Sequence, residues 1–361
     1  MAALSFHPLK VTAVERAADD ATCVTVEIPQ ALRETFAHHA GQYVTVRRTI
    51  NDRDERRTYS IVTAPGGSAL KLGIRMQTGG LMSGDLAANL RPGDLLDVGT
   101  PMGRFRTSID PLRRFSYVAF AAGSGITPIM SLATDILARE PHSRFTLIYG
   151  NRSISRTMFL EETLALKNRY MDRLSLHFVM SREPQHTELL NGRIDGKKVG
   201  ELAQHFAEIS SADEYLICGP GDMVDEVRNA LKALNGNAPI RFERFATASS
   251  KPFEIPTKQV EAPAPQEVLA SITVTMDGRR RSFPMSPSDP SVLDAAERAG
   301  LELPFSCRSG ICATCRTRIT EGAAVMAHNI ALERWEIDAG FVLCCQARPT
   351  TPTLEISYDQ K

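Results

Sequence analysis

Residues 303–319 read LPFSCRSGICATCRTRI and bring three cysteines, Cys307, Cys312 and Cys315, close together in the chain. Four residues separate the first two cysteines, two residues separate the next two, and Cys345 follows after a further 29 residues. The intervening positions include a glycine and several small residues, which let the backbone come close to a bound group. This stretch therefore predicts a tight loop that presents several thiolates to one metal centre.

The spacing matches that of the ligands to a [2Fe–2S] cluster in plant-type ferredoxins. The segment 271–361 resembles these proteins over its whole length, which implies a β-grasp α+β fold with the cluster near the surface. Zinc sites usually show two close cysteine pairs, so zinc and unligated thiols are the alternatives. The spacing and Gln346 favour Cys345 as the fourth ligand. Cys344 is then expected on the other face of the same strand, as a small core residue.

The whole chain has 361 residues, 43% of them hydrophobic and 23% charged, which predicts two or three globular domains. Its 42 basic and 42 acidic side chains give zero formal net charge, which argues against a nucleic-acid or acidic-membrane binder. The amino-terminal residues include no apolar run of signal-peptide length. Gly123, Gly125 and Pro128 interrupt the uncharged stretch 115–134, so we expect a soluble, cytoplasmic protein.

The composition changes along the chain and predicts a multi-domain protein. Residues 246–270 contain four prolines and few large apolar residues, as is typical of an extended linker. Residues 1–105 show short strand patterns separated by glycine turns and predict an antiparallel β-barrel. Residues 106–245 alternate strand and helix patterns and predict an α/β domain with a parallel sheet. Residues 271–361 form the last domain.

Five short motifs follow one another before the linker. The Gly123 loop lies between a predicted strand and a predicted helix, where backbone N–H groups favour phosphate. The order of the motifs over residues 9–245 resembles the ferredoxin–NADP reductase superfamily, which implies an FAD-binding barrel at 1–105 and an NADP-binding α/β domain at 106–245. The motifs are Arg57-Thr58-Tyr59-Ser60, Gly79-Gly80-Leu81-Met82-Ser83, Gly123-Ser124-Gly125-Ile126-Thr127-Pro128, Cys218-Gly219-Pro220-Gly221 and Glu243-Arg244-Phe245.

The resemblance implies roles for the motif residues. Arg57 would pair with the flavin pyrophosphate, Tyr59 would pack on the flavin ring, and Ser60 would hydrogen-bond near its N5 atom. Together with Ser60, the residues Cys218, Glu243 and Phe245 would line the hydride-transfer site; a buried thiol and a core phenylalanine are the plainer alternatives for two of them. FMN is the alternative flavin. The other implied cofactor-binding residues are Arg75, Gly80, Met82, Ser83, Gly123, Gly125, Thr127, Gly219 and Pro220.

The choice between NADPH and NADH depends on the groups that meet the adenosine ribose. A 2′-phosphate needs cations and donors, whereas a free 2′-hydroxyl suits a carboxylate acceptor. Arg152 and Ser153 follow one predicted strand, and Ser181 and Arg182 follow the next. These positions match those that contact the 2′-phosphate in the resembling family. They favour NADPH, with NADH and solvent-exposed surface arginines as the alternatives.

The resemblance implies an oxidoreductase that passes electrons from NADPH through FAD and the [2Fe–2S] cluster to a partner protein. A flavin suits this path because nicotinamide gives two electrons together and the cluster accepts one. No HExxH motif and no pair of helical ExxH motifs is present to bind a di-iron centre, so the terminal chemistry is expected in the partner.

The nearest resemblance is to the reductase subunits of phenylacetyl-CoA epoxidases and related aromatic oxygenases. It implies di-iron oxygenase subunits as electron acceptor and a place in aerobic phenylacetate catabolism. Reductases of other hydroxylases, dioxygenases or desaturases share the motifs, and a low-turnover redox-sensing module is an alternative of another class. The oligomeric state stays open. The residues that carry the resemblance are 149–153, 181–184, 189–193, 344–349 and 358–360.

Overall fold

The computed structural model describes residues 5–245 and 270–360. They divide into two compact units, one built from residues 6–245 and the other from residues 270–360. The predicted linker 246–270 lies outside the described residues, except that a strand begins at its last residue, Ala270. Within the described part of the chain, none of the helices combines the length and the apolar character needed to cross a membrane.

The first unit begins with six antiparallel strands and one helix. The strands are β1 (Phe6–Ala18), β2 (Ala21–Glu27), β3 (Tyr43–Ile50), β4 (Arg53–Ser60), β5 (Ala69–Arg75) and β6 (Leu95–Gly99), and the helix is α1 (Leu81–Asn89). Their order in the sheet is β4-β3-β6-β1-β2-β5. A bridge between Ile61, directly after β4, and Leu72 of β5 joins the two edges of the sheet. The sheet therefore closes into the predicted barrel around its own hydrophobic core.

The second half of this unit alternates strands and helices, as the sequence predicts. They are β7 (Ser116–Ala122), α2 (Ile126–Arg139), β8 (Arg144–Asn151), α3 (Leu160–Arg169), β9 (Leu174–Met180), α4 (Gly196–His205), β10 (Glu214–Pro220), α5 (Gly221–Leu234) and β11 (Ile240–Phe245). The parallel sheet has the order β11-β10-β7-β8-β9, so the direction of winding reverses between β7 and β10. Parallel α/β sheets bind ligands beyond the carboxyl ends of the strands at such a switch point.

The second unit is a small sheet with short helices. Its elements are β12 (Ala270–Met276), β13 (Arg279–Met285), α6 (Val292–Arg298), β14 (Arg316–Glu321), β15 (Ala324–Met326), α7 (Arg334–Asp338), β16 (Phe341–Leu343), β17 (Ala347–Pro349) and β18 (Thr353–Ser357). The main sheet has the order β13-β12-β18-β14-β16, in which β12 and β18 are parallel. This is the predicted β-grasp arrangement, and it has a hydrophobic core of its own.

The environment of Cys344 differs in one respect from the expectation. The strand ends at Leu343, and Cys344 lies in a turn that is closed by a hydrogen bond from the Gln346 N–H to the Leu343 carbonyl, 2.9 Å long. The side chain is fully buried in the core, as expected. Cys344 is therefore buried as predicted, but not because side chains alternate along a strand. The backbone turns at this residue, and the turn presents Cys345, the next cysteine.

Candidate functional site

Three of the predicted hydride-transfer residues meet where the barrel contacts the α/β domain. Ser60, the last residue of β4, donates a hydrogen bond from its hydroxyl to Glu243 Oε2 over 3.4 Å. Cys218 lies opposite Glu243 in the pairing of β10 with β11 and is fully buried. Phe245 lies two residues further along β11, opposite Pro220, and packs against the core of the α/β domain. Residues far apart in sequence thus form one polar site in an apolar setting.

The two titratable groups of this site are held in their neutral forms. Burial raises the pKa of Glu243 to about 8, and the hydrogen bond from Ser60 lowers it by less. Burial, and then the Glu243 carboxyl group, raise the pKa of the Cys218 thiol. Because desolvation disfavours the charged form of each group, the site holds a proton on Glu243 near neutral pH. A protonated carboxyl group can donate a hydrogen bond as well as accept one.

The glycine-rich loop lies at the switch point of the parallel sheet. Gly123 follows β7 with a φ of +55°, a value that favours glycine. A Cβ on Gly125 would lie 2.1 Å from the Cys218 carbonyl oxygen, so only glycine lets the loop touch the end of β10. Thr127 is buried in the first turn of α2. Gly219 continues β10 on the other side of the switch point. These residues, which the sequence predicts to contact the nicotinamide nucleotide, thus lie together at the switch point.

The flavin motif lies on the last residues of β4. Tyr59 is partly buried and packs against the barrel core, and burial raises the pKa of its hydroxyl. The side chain of Arg57 is 43% exposed, and its Nη1 atom lies 3.0 Å from Glu55 Oε2. The carboxylate thus holds the guanidinium group at the surface of the barrel.

The second motif forms the start of α1. Gly80 is the N-cap residue, and Met82 and Ser83 are buried in the first turn. The Ser83 hydroxyl accepts a hydrogen bond from the Gln77 N–H over 3.1 Å, which fixes the turn before the helix. The first turn of α1 contains no acidic side chain, so its positive end is available to an anion.

The predicted 2′-phosphate residues come together at the carboxyl ends of β8 and β9. The Arg182 N–H donates to the Arg152 carbonyl over 2.9 Å, and the Ser181 hydroxyl donates to the carbonyl of Asn151 over 3.2 Å. Ser153 lies in the same loop, with its hydroxyl 3.4 Å from that of Ser155. Among the described residues, Arg152 and Arg182 have no acidic partner. The pKa of the Arg152 guanidinium is lowered by burial and then by the charges of neighbouring arginines.

Two further residues at this edge, Asp20 and Arg156, were not predicted from the sequence. Asp20, in the turn between β1 and β2, forms ion pairs with Arg75 and with Arg156. A turn aspartate is common between two strands and serves ordinary turn geometry, so its sequence context carried no signal. The ion pairs of Asp20 become visible only in the folded structure, where the barrel packs against the loop after β8.

Four of the five cysteines of the second unit form two pairs. The Sγ atoms of Cys315 and Cys345 are 3.3 Å apart. Cys307 Sγ accepts hydrogen bonds from the backbone N–H groups of Ser309, over 3.5 Å, and of Cys312, over 3.4 Å. The hydrogen bond from the Cys312 thiol lowers the pKa of Cys307 to about 5. In the other pair, the Cys315 thiol likewise lowers the pKa of Cys345. The pKa values of the partner thiols, Cys312 and Cys315, are raised in turn, so one thiol of each pair ionises more readily than the other.

The loop that carries these cysteines depends on left-handed backbone. Gly310 has a φ of +75°, and a Cβ there would lie 2.6 Å from the carbonyl oxygen of His328. Arg308 and Ala313 also have positive φ, at 52° and 54°. Such a path aims successive N–H groups inward, towards the sulfur atoms. Gln346 holds the far side, since its amide donates to the Arg308 carbonyl over 2.8 Å.

The donor sets fit the groups that the sequence predicts. Across residues 5–245 and 270–360, no three His, Cys, Asp or Glu side chains converge as ligands of one metal ion would, whereas two thiol pairs suit a two-iron cluster. At the edge where β8 and β9 end, the Nε atoms of Arg75 and Arg156 are buried without a partner in the described structure. Unsatisfied buried donors are rare in native proteins and suit a bound anion.

Three family models match the chain in the order of its domains. The oxidoreductase FAD-binding domain matches residues 8–107, the oxidoreductase NAD-binding domain matches residues 120–229, and the 2Fe-2S iron-sulfur cluster binding domain matches residues 274–350. The fold and the site thus define an oxidoreductase that binds FAD, a nicotinamide nucleotide and a [2Fe–2S] cluster.

Similar proteins extend the match over the full chain. One subunit of the 1,2-phenylacetyl-CoA epoxidase of Escherichia coli K12 is 37% identical over 358 residues, 99% of each chain. The 3-ketosteroid-9-alpha-monooxygenase, ferredoxin reductase component, of Rhodococcus rhodochrous is 30% identical over 97% of this chain and 96% of its own. The solved phthalate dioxygenase reductase shares the fold, with a TM-score of 0.60 and 21% identity over 98% of each chain. The chain belongs to the ferredoxin–NADP reductase family, in the group whose members carry an additional [2Fe–2S] domain.

Proposed function

We propose that this chain is the NADPH-dependent reductase component of a multicomponent oxygenase, and that its partner is a di-iron oxygenase that epoxidises phenylacetyl-CoA. The observation that carries the proposal is the 37% identity, over 99% of both chains, to a protein of the Escherichia coli epoxidase. The FAD would supply exchange between a two-electron donor and one-electron acceptors, and the cluster would supply one-electron transfer to the partner.

The proposed roles of the site residues follow from their positions. Ser60 and Glu243 connect the flavin motif to the switch point, where Gly123 and Gly125 would admit the nicotinamide nucleotide. The proton held on Glu243 would keep the site uncharged, and the Cys218 thiol would form its buried wall. We assign 1–105 to FAD binding, 106–245 to NADP binding, 246–270 to the linker and 271–361 to the cluster.

NADPH is the nucleotide that the charges at the edge of the sheet favour. Arg152 and Arg182 lack acidic partners among the described residues and lie beside Ser153 and Ser181, which can donate hydrogen bonds. Charge-assisted hydrogen bonds of this kind are the usual means of binding a phosphate dianion.

The test has two parts, the nucleotide and the acceptor. Anaerobic NADPH should bleach the absorbance of both flavin and cluster in the purified holoprotein, and reduction of cytochrome c should follow at a catalytic rate. Mixing with the oxygenase subunits of a phenylacetyl-CoA epoxidase should then give NADPH-dependent epoxidation. If the flavin is reduced but cytochrome c is not, the electron-transfer proposal is wrong; slow reduction of every acceptor would instead favour the redox-sensing module.

A second candidate partner is the oxygenase of a 3-ketosteroid-9-alpha-monooxygenase. It is favoured by the 30% identity over 97% of this chain to a reductase component of that system. Reconstitution with each oxygenase in parallel, at equal flavin concentration, separates the two. If the chain supports turnover of the steroid oxygenase but not of the epoxidase, the steroid oxygenase is the partner and the epoxidase proposal is wrong.

A further inference from the structure

The turn between β1 and β2 lies against the loop that follows β8. The Asp19 N–H donates to the Ser155 carbonyl over 3.0 Å, and the Phe159 N–H donates to the Ala17 carbonyl over 3.3 Å. The contact thus joins the barrel to the loop that carries Arg152 and Ser153. Backbone hydrogen bonds in both directions fix this loop to the barrel independently of any side chain.

Asp20 uses both of its carboxylate oxygens in this contact. Oδ1 accepts a hydrogen bond from Arg75 Nη1 over 2.6 Å, and Oδ2 accepts one from Arg156 Nη2. The Nη2 atom of Arg75 also donates to the carbonyl of Arg156 over 2.9 Å. The side chains of Asp20 and Arg75 are only 17% and 16% exposed, so the pairing is shielded from solvent. One carboxylate therefore sets the orientation of two guanidinium groups.

The two arginines keep a donor that no protein group uses. Their Nε atoms are buried and have no hydrogen-bond partner in the described structure. Arg75 Nε lies 3.8 Å from the position that a Cβ on Gly123 would occupy, which places it beside the glycine-rich loop. The charges of Arg75 and Arg156 are also felt by Arg152. The two Nε–H donors of Arg75 and Arg156 lie near the further cations Arg152 and Arg182. Such a set of donors and charges is suited to an anion with several oxygens.

We propose that Asp20 is a positioning residue, which aligns Arg75 and Arg156 so that their Nε–H groups serve as donors to phosphate oxygens of the nicotinamide nucleotide. The proposal rests on the proposed function for the presence of that nucleotide, and it does not depend on whether the nucleotide is NADP or NAD. Pre-organised donors lose less conformational entropy on binding, and this is the benefit that opposes the electrostatic cost of the aspartate's negative charge.

The direction in which Asp20→Asn changes the affinity for NADP⁺ distinguishes a positioning role from a simple effect of charge. Asp20→Asn removes a negative charge beside a phosphate site, so charge alone predicts tighter binding of NADP⁺. Loss of alignment predicts the opposite, weaker binding by about tenfold, the amount expected for one or two charge-assisted hydrogen bonds. The measurement is calorimetric titration of the full-length holoprotein with NADP⁺ and with NAD⁺. Glu27→Gln is the control for loss of a carboxylate, because that side chain is exposed on β2 of the same hairpin.

A second variant separates alignment from a general loss of structure. Arg156→Lys keeps the positive charge and can still pair with Asp20, but it has no Nε–H, so NADP⁺ should again bind several-fold more weakly. In the double variant with Asp20→Asn, the loss should be smaller than the product of the two single losses, because both act through the same donor. Flavin content and melting temperature should stay close to those of the wild type.

The outcomes distinguish this proposal from the assignment of NADPH. If Asp20→Asn, or Arg156→Lys where the first variant does not fold, binds nucleotide as tightly as the wild type or more tightly, the positioning role is wrong. If the wild type does not prefer NADP⁺ to NAD⁺, the NADPH assignment is wrong, and Asp20 is then judged by its effect on NAD⁺. A loss confined to NADP⁺ identifies the 2′-phosphate as the group contacted, and an equal loss for both nucleotides identifies the pyrophosphate.

Discussion

At the scale of single residues, the site depends on groups that burial keeps in an unusual protonation state. Glu243 is partly buried, and it retains a proton because desolvation disfavours its anion, while the Ser60 hydroxyl compensates only in part. Its neighbour Cys218 is kept neutral in the same way. Because the carboxyl group lies where the barrel meets the α/β domain, its protonation would affect both stability and the polarity of the proposed hydride-transfer site.

The raised pKa of Glu243 predicts a pH-dependent stability. The unfolded carboxyl group titrates near 4.5 and the folded one near 8, so the folded protein binds a proton over this range that the unfolded chain has lost. The contribution is complete below about pH 4.5 and disappears as the pH rises through 8. In Glu243→Gln this decline should be absent, so the variant should gain stability relative to the wild type between pH 5.5 and 8.5 in urea denaturation. An equal pH dependence in both proteins would contradict the assignment.

The cation that follows β9 predicts a change in nucleotide preference. Arg182→Ala should raise the KM for NADPH much more than that for NADH, by the equivalent of ~1.5–3 kcal/mol for a charge-assisted contact. Ferricyanide serves as acceptor, since its reduction does not require the cluster. Lys197→Ala is a suitable control because that side chain is 86% exposed on α4. Equal effects on both nucleotides would exclude Arg182 from the 2′-phosphate site.

At the scale of elements, two glycine-containing loops place the chemistry. The loop between β7 and α2 reaches the end of β10 only because Gly125 lacks a side chain. The loop between α6 and β14 presents cysteines because its backbone enters the left-handed region at several residues. In both loops, the local backbone path decides which groups can meet.

Substitution of Gly125 should show this dependence. A Cβ there would overlap the Cys218 carbonyl at 2.1 Å, so Gly125→Ala should lower the free energy of unfolding by at least about 2 kcal/mol and weaken nucleotide binding. Gly200→Ala is the matched control, because Gly200 lies inside α4 and, apart from its own helix backbone and chain neighbours, no atom lies within 4 Å of its Cβ position. That change should stabilise by about 0.5–1 kcal/mol through helix propensity. Similar effects at the two sites would refute the close approach.

Substitution in the cysteine loop should abolish electron transfer to cytochrome c but not to ferricyanide. Cys312→Ser should remove the cluster absorbance and abolish cytochrome c reduction, while ferricyanide reduction persists through the flavin. Cys344→Ala, which changes a buried cysteine outside the two pairs, should retain the cluster. Loss of both activities in Cys312→Ser would mean that the cluster is needed for folding of the whole protein. Loss of the cluster in Cys344→Ala would make Cys344 a candidate ligand.

At the scale of the whole molecule, the chain consists of two units with separate hydrophobic cores. The core of residues 270–360 contains only residues of that unit, and the barrel and the α/β domain are joined by contacts such as that between Ser60 and Glu243. A unit with its own core can fold without its neighbour. The separation of cores suits a protein whose cluster domain must approach both a flavin and a partner.

Separate expression of the units tests this independence. The fragment 1–250 should bind FAD and reduce ferricyanide with NADPH, but it should not reduce cytochrome c. The fragment 251–361 should bind the cluster and show its absorbance when reconstituted with iron and sulfide. Mixing the fragments should restore only slow cytochrome c reduction, because tethering supplies a high effective concentration. Failure of either fragment to fold would show that the cores depend on each other.

The sequence by itself determined the class of each domain and supplied the candidate site residues. The cysteine spacing, the glycine loops and the strand and helix periodicities are local patterns, and each is tied to a local geometry by the backbone. The candidate ligands Cys307 and Cys345, and the placing of Ser60 and Glu243 in one motif series, were therefore predicted in advance, whereas the hydrogen bond between Ser60 and Glu243 was not.

Only the tertiary structure decided how distant residues meet. The contact between Asp20 and Arg156 joins a hairpin turn to a loop that lies 136 residues further along the chain. The protonation of Glu243 is also a property of the folded core, since burial and not sequence context sets its pKa. Local patterns specify backbone geometry, whereas charge pairing and desolvation arise only when remote segments exclude water together.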